Sequence, residues 1–367
     1  MPVKLTAHFC EMKGMTQGVK YIGSKAALLD EIVSFVEERL PGPARLLDVF
    51  TGTTRVAQAF RARGWTVASS DLSWAAEAYA HAFLVRTAES GARIPGLIDE
   101  LRAVAPAADW ITKSYCDVIA ADGGIVKMWT PANGAAADAM RNTIEAWKIS
   151  KRITYHESMI LVACLIFALD RVDSSVGVQQ AYLKNWATRA KSPIDLKDLP
   201  FPAGPRGSHN VGDALKIVYG ECDVAYVDPP YSPHSYATYY HIWDSVTRWD
   251  KPAVGLKTNR RADRISGESF DDKMHSPWNS KKEALPAFLE LIERLPAKAV
   301  VVSYSDESLV PLEKLESALK ELYTVHKKVI PYKRNIMSQI GNAEAAITAG
   351  ATAKTENHEV LLWITKT

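Results

Sequence analysis

The sequence predicts an α/β fold whose sheet is interrupted by a long helical insertion, on three observations. A strand, a small-residue turn, a helix and a second strand follow one another over residues 45–70, the opening of a βαβ unit with parallel strands. The stretch from about Ser73 to Leu199 then reads as mainly helical. Strand character returns only at Asp223 and recurs towards the end of the chain. At about 150 residues per domain, a length of 367 suggests two units. We expect a sheet unit made of 1–75 and 205–367, and a helical unit at 76–204.

The elements follow in order. Ser24 reads as the N-cap of a helix running to about Leu40, with Leu28, Leu29, Ile32, Phe35 and Val36 at helical spacing and Pro41-Gly42-Pro43 as its stop. Arg45–Phe50 is a short apolar run expected as a buried strand, Thr53–Arg63 a helix ended by Gly64, and Trp65–Ser70 the next strand. Within the insertion the clearest helix is Tyr155–Leu169. Further strands are expected at Asp223–Val227, Ala299–Tyr304, Thr324–Ile330 and Glu359–Ile364, with a helix near Leu309–Leu322. Arg334–Asn357, rich in Ala, Gly, Thr and Asn, reads as a long surface loop.

Composition narrows the class. With 47% hydrophobic and 23% charged residues, the chain is neither disordered nor collagen-like. The longest apolar run, Met159–Leu169, is 11 residues, short of the about 20 that span a membrane. No basic segment followed by an apolar stretch opens the chain, and Cys10, Cys116, Cys164 and Cys222 form no CxxC. A cytoplasmic, reducing location without membrane attachment is expected. The nine histidines form no HExxH, so no metal is expected. The net charge of +2 says nothing of partners, but its distribution does. Arg248–Arg264 holds six basic residues and two acids, and His326–Arg334 holds four basic residues and none. Either cluster could neutralise phosphates or face water.

Two constellations carry chemistry. Asp48-Val49-Phe50-Thr51-Gly52-Thr53-Thr54 lies at a strand-to-helix turn, where small residues let the backbone approach a ligand. Asp71 ends the next strand and is placed to accept hydrogen bonds from a ribose. The second constellation is Asp228-Pro229-Pro230-Tyr231, directly after an apolar strand. Two prolines remove two N–H donors, leaving a carboxylate and carbonyls as acceptors for an exocyclic amine. Tyr231 adds a face on which a base can stack. The aromatic residues Tyr236, Tyr239, Tyr240, His241 and Trp243 beyond it suit either DNA contact or core packing.

Taken with Lys20-Tyr21-Ile22-Gly23-Ser24-Lys25 and Gly212-Asp213-Ala214, in this order, the chain resembles the Dam-like (α-group) DNA adenine-N6 methyltransferases. The resemblance implies a Rossmann-like class I methyltransferase sheet, with the insertion as target-recognition region. It implies S-adenosyl-L-methionine as cofactor, bound by Tyr21, Lys25, Phe50, Gly52, Thr53, Asp71 and Asp213, and Asp228, Pro229, Pro230 and Tyr231 as the catalytic group. Arg171–Lys184 looks like a DNA-contacting segment of the family, so Arg171 and Lys184 join Arg248, Lys257, Arg260 and Arg261 as expected contacts to double-stranded DNA. A cognate restriction endonuclease is a possible partner. The sequence departs from the family at Thr54, where a glycine is usual, and around Asp173, where an asparagine is. Methylation of cytosine N4 and a catalytically idle DNA-binding relative are the alternatives. The first more often carries Ser where this chain has Asp228, and the intact motif argues against the second.

Overall fold

A computed structural model describes residues 16–119, 125–179, 183, 185–230, 239–255, 276–306, 308–333 and 356–366. A 3-10 turn (Lys25–Ala27) and helix α1 (Leu29–Glu37) lead into strand β1 (Arg45–Asp48), helix α2 (Arg55–Ala62) and strand β2 (Thr66–Asp71). The insertion carries helices α3 (Trp74–Ala80), α4 (Ile94–Arg102), α5 (Trp110–Tyr115), α6 (Pro131–Ile149) and α7 (Tyr155–Arg171). It also carries a two-stranded antiparallel sheet of β3 (Cys116–Ile119) and β4 (Ile125–Lys127). Strands β5 (Ser208–Val211) and β6 (Cys222–Val227), helices α8 (His241–Arg248) and α9 (Ala284–Arg294), strand β7 (Ala297–Ser305), helix α10 (Leu312–Leu322) and strands β8 (Thr324–Lys333) and β9 (Glu356–Thr365) complete the α-helices and strands of the described residues.

The large sheet has the order β5-β2-β1-β6-β7-β9-β8. The first five are parallel, and β9 runs antiparallel between β7 and β8. Because alternate strand residues face opposite sides, the central strands feed two cores. Leu46, Val224, Tyr226, Val301 and Leu361 pack under α1 and α2. Leu47, Ala225, Val300, Val302 and Leu362 pack under α9 and α10. Coverage on both faces explains why β6 and β7 read as continuous apolar runs rather than alternating ones.

A third core belongs to the insertion. Its centre is α7, buried from Met159 to Leu169 on every side, as expected of a helix apolar all round. A capping box between Thr154 and Glu157 starts it. Ile242, Trp243 and Val246 of α8 complete this core, so the helix that follows the Asp228 loop packs with the inserted helices. No helix among the described residues is long and apolar enough to cross a membrane.

Several expectations shift. The Ser24 hydroxyl accepts from the Ala26 N–H at 3.5 Å and so caps the 3-10 turn, while α1 starts at Leu29. Strand β1 stops at Asp48, because the chain then turns towards α2, although the Val49 N–H still donates to the Tyr226 carbonyl at 3.0 Å. Strand β5, helix α9 and the β3–β4 pair have no counterpart among the expected elements. Residues 334–355 of the expected loop lie outside the described residues, and Glu356 and Asn357 already belong to β9.

Arg61 of α2 fastens the insertion to the sheet. Its side chain is buried, and its guanidinium donates to the carbonyls of Phe83 and Arg86 (2.6 Å) on the way in and of Pro205 (3.1 Å) on the way out. Arg61→Met leaves these carbonyls without a donor and should lower unfolding stability by about 3–5 kcal/mol. A fall in the urea midpoint at unchanged slope is the expected reading. An unchanged midpoint would mean that water replaces the guanidinium.

Candidate active site

Asp48 and Asp71 end β1 and β2, and Asp228 follows the last residue of β6. These three strands are neighbours, and the chain order reverses between β1 and β6. Open α/β sheets hold ligands at such a point, beyond the carboxyl ends of the strands. A cavity of about 340 Å³ opens there. Tyr21, Lys25, Phe50, Gly52, Thr53, Asp71, Asp213, Asp228, Pro229 and Pro230 all line it, so residues separated by more than 200 positions converge on one space. Tyr231 lies outside the described residues.

The turn after β1 is built by its own hydrogen bonds. Thr51 Oγ1 donates to Asp48 Oδ2 at 2.8 Å, and the Gly52 N–H donates to Asp71 Oδ2 at 2.8 Å. Gly52 has φ +51°, a left-handed backbone angle that glycine adopts without strain, and a Cβ there would meet the Tyr21 ring at an ordinary contact distance of 3.4 Å. Thr54 adopts φ +61°, the left-handed region that costs a side chain about 1–2 kcal/mol. Here Gln58 holds the residue, its Nε2 donating to Thr54 Oγ1 at 2.9 Å. Phe50 is held edge-on by Trp278, with ring centroids 5.0 Å apart. Asp71 Oδ1 accepts from the Ser73 N–H at 2.8 Å, and Asp213 Oδ1 accepts from the Leu215 N–H at 3.0 Å.

The amino-terminal segment is anchored at three points. Lys20 Nζ reaches Asp173 at 2.9 Å and Asp170 at 3.3 Å. The Tyr21 ring stacks on Tyr240 at 4.4 Å, and the Tyr240 hydroxyl accepts from the Ile22 N–H at 2.5 Å. Lys25 Nζ lies 3.0 Å from Asp228 Oδ1 and 2.8 Å from Glu359 Oε1, its side chain 5% exposed. Burial pushes Asp228 up to about 7; Glu359 adds to the rise and Lys25 opposes it. Burial likewise raises Asp71 to about 6, against the amide hydrogen bonds of Ser73 and Gly52.

The residues expected to meet DNA are placed differently from one another. Arg171 is exposed at the end of α7, without a hydrogen-bond or ion-pair partner among the described residues. Arg248 is mostly covered, 3.3 Å from Asp250 and lying over the Trp74 ring. Lys184, Lys257, Arg260 and Arg261 lie outside the described residues. Asp173 is buried and engages Arg189 at 2.8 Å as well as Lys20, so it ties both to the end of α7. His241 and Trp243 pack in the helical core, whereas Tyr240 reaches the site.

Sequence reasoning missed Glu359, the Ser276–Asn279 wall and Asp244. Asp244 Oδ1 accepts from Ser73 Oγ at 2.6 Å and from the Ala75 N–H at 3.0 Å, tying α8 to the start of α3. A glutamate opening an otherwise apolar strand was the one signal for Glu359.

The sheet order, the switch-point cavity and the Asp-Pro-Pro loop together define a ligand site at the carboxyl ends of a mainly parallel α/β sheet. The model of the D12 class N6 adenine-specific DNA methyltransferases matches residues 21–304, and the chain belongs to that family. It is 29% identical to the modification methylase StsI of Streptococcus sanguinis, over 86% of this chain and 48% of the relative. It is 28% identical to the type II methyltransferase M.FokI of Planomicrobium okeanokoites, over 86% and 49%. To the type II methyltransferase M.NlaIII of Neisseria lactamica it is 27% identical, over 80% and 85%. The chain thus spans about half the length of the first two relatives.

The buried carboxyls predict a pH response. Burial pushes Asp48 up to about 7, against the Thr51 hydrogen bond and reinforced by the charges of Asp228 and Asp71. With the folded pKa above the unfolded one, the native state keeps this proton while the unfolded chain releases it, so stability falls as pH rises from about 4 to 7. Asp48→Asn removes that term. Urea midpoints at several pH values should move in the variant's favour across this window, and parallel curves would contradict the assignment.

Proposed function

We propose that this chain transfers a methyl group from S-adenosyl-L-methionine to the N6 amino group of an adenine in double-stranded DNA. The observation that carries the reading is the convergence of the Asp228 loop, the Gly52 turn and Asp71 on one cavity at the switch point. When bound, S-adenosyl-L-methionine supplies an activated methyl group on a cationic sulfonium. The residues present fit such a cation, because Asp48, Asp71 and Asp228 put carboxyl groups on the cavity wall and Gly52 leaves room that a Cβ would narrow. Asp71 and Asp213 would hold the ribose and adenine parts, Phe50 and Thr53 the methionine part, and Tyr21 would cover them.

The adenine N6 lone pair is delocalised into the ring and attacks poorly. Acceptance of its two N–H bonds by the Asp228 carboxylate and the Pro229 carbonyl would turn that lone pair out of conjugation. The same acceptors stabilise positive charge developing on nitrogen, which is stronger in the transition state than in the ground state. Asp228 need not be a strong base, since the methylated nitrogen sheds its proton readily. A duplex hides this edge of the base, so the adenine must leave the stack, and Tyr231 would offset part of the unstacking cost.

The inserted helices, with Arg171, Lys184 and the basic run from Arg248 through Lys257, Arg260 and Arg261, are the proposed reading surface for duplex DNA. A cytoplasmic location and a cognate restriction endonuclease as partner are part of the same proposal; the relatives are named as a modification methylase and a type II methyltransferase. Asp228→Ala should lower kcat by about 10²–10³-fold or more in a labelled-methyl assay while calorimetry finds donor affinity nearly unchanged. Near-normal turnover in that variant would refute the role of Asp228.

A further inference from the structure

Lys25 touches two buried carboxylates, and only Asp228 belongs to the family motif. The other, Glu359, lies on β9, beyond residues 21–304 that the family model covers. Its side chain is 1% exposed, and its Oε1 accepts from Lys25 Nζ at 2.8 Å and from Ser303 Oγ of β7. The residues that follow it, Val360 to Ile364, are apolar and buried. Burying two carboxylates and an ammonium is no gain in stability over apolar residues of similar volume. Such a group at the back of a catalytic carboxylate has a use beyond packing.

That use follows from charge. An ammonium confined to Asp228 alone would neutralise it and weaken it as an acceptor for an amine. Shared with Glu359, the same ammonium orients Asp228 while the three groups together keep a net charge of −1. We infer that Glu359 is a positioning residue, which acts through Lys25 to fix Asp228 Oδ1 and to keep the carboxylate a strong hydrogen-bond acceptor towards the cavity. The inference rests on the reading of Asp228 as the acceptor in methyl transfer, so its test has a readout independent of activity.

Among the described residues, the groups that act on the Asp228 carboxylate are Lys25 from the 3-10 turn, Glu359 from β9, Asp48 from β1 and Tyr226 from β6. In ligand-free protein with ¹³C-labelled aspartate carboxyls, the Asp228 signal is assigned by its loss in Asp228→Asn and titrated. Glu359→Gln removes a neighbouring negative charge, so the midpoint should fall by about one pH unit; Lys25→Met removes the positive one, so it should rise by about as much. An unmoved midpoint in Glu359→Gln overturns the inference. In the methyl-transfer assay the same variant should lose about tenfold in kcat with KM for the donor unchanged, and an unchanged kcat overturns it equally. If Glu359→Gln fails to fold, Glu359→Asp decides: it keeps the charge but withdraws it by one methylene, and the midpoint should fall by less. No displacement there overturns the inference. Wild-type protein that transfers no methyl group would refute the proposed activity, while the titration would still decide what Glu359 does to Asp228.

Discussion

The buried ammonium of Lys25 joins three parts of the chain that are remote in sequence: the amino-terminal turn, the loop after β6 and the last strand of the sheet. With the Lys20 ion pairs and the Tyr240 hydrogen bond to Ile22, it fastens residues 20–25 over the carboxyl ends of β1, β2 and β6. Each anchor comes from a different layer. Lys20 binds the end of α7 and the segment after it, Tyr240 precedes α8, and Asp228 and Glu359 belong to the sheet. The cavity is therefore closed by contacts that the sheet and the insertion must both supply.

Electrostatics gives the cavity its preference. Asp48, Asp71 and Asp228 stand on its wall with raised pKa values, which shows that their negative charges are poorly solvated. A cationic ligand relieves that cost, whereas a neutral one of the same shape does not. The Lys25 ammonium compensates only part of the charge, because Glu359 claims a share of it. On the proposed reading, such a site would favour a sulfonium over the neutral thioether left after transfer, which would help product leave.

Much of this was legible in the sequence, for identifiable reasons. The β1 turn, Asp71 and the Asp228 loop announce themselves because each follows a strand readable in the sequence, and strand ends converge in a parallel sheet, whereas Asp213 was reached only through the resemblance carried by Gly212-Asp213-Ala214. Helix α7 was readable from its continuous apolar run. Strand β5 was not, because Ser208–Val211 is a short edge strand with polar residues and no apolar run. Helix α8 reads as part of the catalytic half, yet its apolar face completes the core of the insertion, a pairing that local pattern cannot reveal. Glu359 was invisible as a site residue because its meaning depends on the strand order: only with β9 beside β7 does its carboxyl reach Lys25. Thr54 was visible as a departure, but the left-handed backbone that makes it one is a property of the fold.

The central claim is chemical: the amine held at Asp228 is that of adenine. Nucleoside mass spectrometry on duplex DNA incubated with this chain and isotopically labelled methyl donor tests it most directly. The account predicts label in N6-methyladenine alone. Label in N4-methylcytosine, or in no nucleoside while the donor binds, would contradict it.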